Sequence, residues 1–139
     1  MKMIEFEKFI SRHELNLFMY KDINEYLEVI RDIIVNTMLP YEPTGTCEHE
    51  EIVISKVLAI AEVFWNQYIY SGISLFKKGI ASFLEKAQDS ESHNDWMNVY
   101  IYSLEYIRFA DLSGDVDEAF ISKSIKSYSL SKLSKSNAS

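Results

Sequence analysis

A chain of 139 residues, 47% of them hydrophobic, has enough apolar material for one buried core. Only 4 glycines and 2 prolines leave too few turn-formers for a sheet-rich fold of this size, so long helices with short connections are predicted. A formal net charge of −7 is repelled by nucleic acid and by anionic membranes, which argues against a broad role in binding either.

The charge is uneven. Residues 1–51 hold 11 acids against 5 bases, and residues 52–139 hold 10 against 9. Cys47 is the only cysteine, so no internal disulfide can form. The first eight residues mix acids with apolar side chains and do not read as a signal peptide. The longest apolar run, Val57 to Ala61, is far short of a membrane span. A cytoplasmic location is expected.

From Ile4 to Tyr20 one or two short helices are expected. Ser11 and Glu14 have the spacing of a capping box, which predicts a helix start. Asp22 and Glu25 repeat that spacing. After them Ile23, Tyr26, Leu27, Ile30, Ile34 and Met38 form one helical stripe, with Asn24, Glu25, Glu28, Arg31 and Asp32 opposite. Residues 40–46, with Pro40, Pro43 and Gly45, predict a loop.

Thr46 is a suitable cap for a third helix over Cys47–Tyr70, with Glu48, Glu50 and Glu51 favoured in its first turns by the helix dipole. Its middle, Ile52 to Trp65, is apolar almost all round and predicts a central helix. Gly72 is read as its stop. A fourth helix over Ile73–Ala87 and a polar connection from Gln88 to Asn94 follow.

The fifth helix, Asp95 to Ala110, carries two stripes. Met97, Tyr100, Ile101 and Leu104 form one, and Val99, Tyr102, Tyr106 and Phe109 the other. Core and interface remain open for both. Gly114 predicts a turn, and Asp115 with Glu118 opens a last helix. From Ser122 onward there are four lysines, no acids and many serines, which predicts a basic tail without order over 129–139. The stretch from Tyr106 to Phe120 distantly resembles a helix-turn-helix unit of the tetratricopeptide kind. The expected small and aromatic positions fall on Lys123 and Lys126, and no second copy follows, so it is read as a generic αα-hairpin. The expected fold is all-α: one domain over 1–128, a compact bundle of five or six helices built from antiparallel hairpins around a central apolar helix.

No spacing for chemistry is complete. Cys47, Glu48, His49, Glu50 and Glu51 point in different directions on a helix and cannot all reach one ion; Cys47 and Glu51, four apart, could share a face, but two ligands are too few for a closed zinc site. His13-Glu14 lacks a second histidine, since Leu17 holds that position. The acids from Asp111 to Glu118 place Val116 and Ser122 where a calcium loop needs glycine and glutamate. No catalytic residue, metal or cofactor is therefore expected.

Aromatic residues make up 14% of the chain, and tyrosine is favoured at interfaces. The expected function is protein binding: an acidic inhibitor of the bacterial immunity kind that neutralises a basic, nuclease-like toxin domain. The alternative is a helical adaptor or secretion chaperone that holds an apolar peptide segment. The expected contact residues are Tyr41, Glu42, Glu48, Glu50, Glu51, Tyr102 and Tyr106.

Overall fold

The computed structural model describes residues 2–37, 47–90 and 92–137, excluding the side chains of 47–49, 90 and 136–137. Among the described residues every regular element is helical. In chain order these are α1 (Met3–Arg12), a 3-10 turn (Leu17–Met19), α2 (Ile23–Thr37), α3 (Cys47–Ser90), α4 (His93–Ser113) and α5 (Val116–Asn137). The chain divides into two compact units, Met1–Tyr68 and Ile69–Ser139, and α3 contributes to both.

In the first unit, α1 begins where Glu5 accepts a hydrogen bond from the Lys2 N–H at 3.2 Å. Its end lies where the Ser11–Glu14 spacing predicts a beginning. Leu15 N–H donates to Ile10 O at 3.0 Å and Glu14 N–H to Ser11 O at 3.2 Å, the paired bonds of a Schellman C-terminus. Glu14 takes the left-handed position with φ 52°. The four-residue spacing fits a helix exit as well as an entry, and only the backbone distinguishes them.

The start of α2 agrees with the sequence expectation: Glu25 N–H donates to the Asp22 carboxylate at 3.0 Å. Its stripe buries Tyr26, Ile30 and Ile34 completely. They face the first half of α3, where Ile54, Val57, Ala61 and Trp65 are buried. Tyr26 is the joint. Its ring lies 4.8 Å from that of Trp65, and its hydroxyl donates to Ala61 O at 3.0 Å. Phe6 of α1 closes the core edge-on against Phe64 at 5.3 Å.

In the second unit, α3 continues through Gly72, so the predicted third and fourth helices are one helix of 44 residues. Gly72 and Gly79 are not breakers. A Cβ on Gly72 would overlap the Phe109 ring, and one on Gly79 would overlap Tyr102. Seven residues forward on α3 match seven backward on α4, so the two helices run antiparallel and touch closely at both glycines. Phe76 sits between them, 5.4 Å from Tyr102 and 5.7 Å from Phe109. The predicted connection over 88–94 shrinks accordingly, since α3 reaches Ser90 and α4 starts at His93.

Gly114, at φ 72°, turns α4 into α5. Asp115 caps α5, accepting from the N–H groups of Asp117 and Glu118 at 3.0 and 3.2 Å. Trp96, near the start of α4, meets Tyr128 edge-on at 5.5 Å, which makes this pair an antiparallel hairpin as expected. Where composition predicts a tail from residue 129, α5 runs helically to Asn137, with Ser129 and Leu133 buried. The serines are part of the reason. Ser103, Ser122 and Ser129 are fully buried, and each hydroxyl donates to a carbonyl of its own helix, those of Tyr100, Ala119 and Lys126. Their small size with an internally satisfied hydroxyl suits a close helix pair.

Helix α3 is less enclosed than its composition suggests. It buries one stripe and leaves Ile52, Val63, Tyr70 and Leu75 exposed. By length and composition alone, α3 contains an 18-residue window, of mean hydropathy 1.3, that is apolar enough to cross a membrane.

Candidate protein-binding surface

The first unit carries the negative charge: residues 1–68 hold 12 acids against 6 bases. On α2 the buried stripe fixes which side faces outward. Glu25, Glu28 and Asp32, at i, i+3 and i+7, are all exposed there and fall within one narrow sector of the helix. The same i, i+4 repeat that buries Tyr26, Ile30 and Ile34 sets these carboxylates on the solvent side. This acidic row is legible in the spacing of the sequence, whereas the expected contacts name acids of the third helix.

Those acids of α3 are placed differently. Glu51 is exposed, and its carboxylate accepts from Arg31 Nη2 at 3.0 Å. With both side chains well exposed, such a pair contributes about 0–1 kcal/mol. Its main effect here is to offset one carboxylate of the expected patch. Glu50 is half-buried. Tyr41 and Glu42 lie outside the described residues, as does the side chain of Glu48.

The two tyrosines of α4 expected as contacts, Tyr102 and Tyr106, pack inward in this structure. Tyr106 is fully buried, and its hydroxyl donates to the Glu118 carboxylate. Burial, then that hydrogen bond, then the charges of Glu118 and Asp115 push its pKa well above the ordinary tyrosine value. Tyr102 is half-buried and fills the gap over Gly79, with its ring edge-on to Phe83 at 5.1 Å. Both belong to the stripe that faces α3 and α5. The other stripe points outward, with Met97, Ile101 and Leu104 exposed at i, i+4 and i+7. These three aliphatic side chains were not among the expected contacts. Equal hydrophobicity of the two stripes hides which one is covered.

Chemically, the α2 row can accept hydrogen bonds and ion pairs from lysine or arginine side chains. The described residues contain no group of three or more histidine, cysteine or acidic side chains placed to hold a metal ion. No protein-family model, curated protein or solved structure matches this chain.

Proposed function

We propose that this protein is a stoichiometric protein-binding inhibitor, of the bacterial immunity kind, that acts in the cytoplasm on a basic, nuclease-like toxin domain without a cofactor. The observation that carries this reading is the exposed row Glu25, Glu28 and Asp32 on the unit that holds most of the excess negative charge. A surface of this sign steers a basic partner and raises its association rate.

The test is kinetic. A partner recovered by affinity capture would be measured against the wild type and a triple variant, Glu25→Lys, Glu28→Lys and Asp32→Lys. Association should slow by about ten-fold or more at low salt and converge with the wild type at high salt. An association rate that ignores both the substitutions and the salt removes the acidic row from the account.

A second reading rests on the exposed stripe Met97, Ile101 and Leu104 of α4. An adaptor or secretion chaperone would use such a stripe to hold an apolar peptide segment. Its affinity would change little with salt and would fall on Ile101→Asp, so the same titration separates the two readings.

A further inference from the structure

A cleft of about 310 Å³ opens on the first unit, beside the end of α1, the 3-10 turn and α3. Three aromatic rings line it: Phe18, Phe64 and Tyr68. Phe64 and Tyr68 stack with centroids 6.4 Å apart and planes 19° apart. Phe18 stands edge-on to Tyr68 at 6.3 Å. The remaining apolar lining is Ile10, Leu15 and Leu17.

Two features define what would fit. First, none of the described residues that line the cleft is charged, although 25% of the chain is charged. An ionised ligand would lose hydration with no counter-charge to replace it. Second, Asn16 is the lining carboxamide, and its Oδ1 already accepts the Phe18 N–H at 2.9 Å. Asn16 keeps both amide N–H donors, beside the second lone pair of Oδ1, for a ligand.

The backbone at the rim is held at a cost. Glu14 occupies the left-handed position of the α1 terminus with φ 52°, where glycine is favoured. That conformation supports the Leu15 N–H to Ile10 O bond, which ties together two residues of the lining.

We propose that this cleft binds a small, uncharged aromatic molecule bearing a carbonyl or ether oxygen. The volume sits at the low end of ligand pockets, which suits one or two rings. The angled rings offer edge and face contacts to a planar guest. Asn16 N–H groups receive the oxygen. This site is independent of the acidic row of α2.

The test is a two-dimensional NMR titration of the full chain with acetophenone, using benzoate as a charged comparator of similar size. Acetophenone should give saturable shifts confined to the amides around Leu15–Phe18 and Phe64–Tyr68, with a midpoint of about 1 mM. Benzoate should not saturate. Asn16→Asp keeps an acceptor for the Phe18 N–H but removes the donors and adds charge, so it should weaken binding by about ten-fold or more. Phe18→Ala, checked for native shift dispersion, should weaken it similarly. Ile101→Ala on α4 should leave the midpoint unchanged. Shifts that stay linear to about 20 mM, shifts scattered over the surface, equal binding of benzoate, or an unchanged midpoint in Asn16→Asp would each overturn the proposal.

Discussion

The Tyr106 hydroxyl donates to the Glu118 carboxylate, and this bond ties the buried face of α4 to the first turn of α5. The other Glu118 oxygen accepts from Lys77 Nζ of α3 at 3.0 Å. One carboxylate thus links all three helices of the second unit. In a capping box Glu118 would fold back to the Asp115 N–H. That N–H donates instead to Ser113 Oγ at 3.1 Å, which leaves Glu118 available for the tertiary contacts. Tyr106→Phe should therefore cost about 1–2 kcal/mol in urea unfolding. Glu118→Gln should cost less, because its amide can still serve both neighbours. A Tyr106→Phe variant as stable as the wild type would make the hydroxyl incidental to the fold.

Alkaline pH should weaken the fold through its buried tyrosines. Burial foremost, and then the proximity of Tyr20, raises the Tyr26 pKa above 10.0, and Tyr106 is raised likewise. Below pH 10 both are neutral in the folded and unfolded chain, so their contribution is fully present. Above pH 10 the unfolded chain releases these protons while the folded chain retains them, so stability falls as pH rises. Unfolding midpoints should be level with respect to these groups up to about pH 10 and decline beyond it. Tyr26→Phe and Tyr106→Phe should each make that decline shallower.

Gly72→Ala tests whether this glycine is a breaker or a contact. Alanine is favoured over glycine inside a helix by about 1 kcal/mol. At Gly72 the added methyl meets the buried Phe109 ring, and overpacking of this kind costs about 1–3 kcal/mol. The net expectation is destabilisation, read as a lower thermal midpoint. A second substitution, Phe109→Leu, should recover part of the loss by making room. A more stable Gly72→Ala protein would contradict the close approach.

Glu14→Gly should stabilise the chain. The glutamate holds φ 52°, a conformation that costs an ordinary residue about 1 kcal/mol or more. Glycine removes that strain but adds entropy to the unfolded state. A net gain of about 0.5 kcal/mol is expected, measured as a higher denaturant midpoint at an unchanged slope.

Truncation after Tyr128 should not be silent. It removes Ser129 and Leu133 from the buried face of α5, along with Lys132, whose Nζ lies 5.7 Å from the Trp96 ring centroid. Burial of one leucine is worth about 1.5–3 kcal/mol, so a loss near 2 kcal/mol is expected, with increased exposure of Trp96 visible in its fluorescence. A shortened chain with native stability and emission would return these residues to the status of a tail.

Periodicity and capping by themselves determined much of this protein: its all-α class, the start of α2 at Asp22, the buried stripe of Tyr26, Ile30 and Ile34, and the α4–α5 hairpin at Gly114. These are local properties, set by backbone preference and by repeats within one helix. Only the tertiary structure decided the rest. Gly72 is indistinguishable from a breaker until Phe109 is seen against it. The serines of α5 resemble a solvated tail until α4 packs beside them. Of the two stripes on α4, Val99, Tyr106 and Phe109 are covered while Met97, Ile101 and Leu104 are not. The row of acids on α2 was readable because a helix with one buried face has its opposite face already assigned. The cleft beside Phe18, Phe64 and Tyr68 was not, because it joins residues about fifty positions apart, and no local repeat encodes that distance.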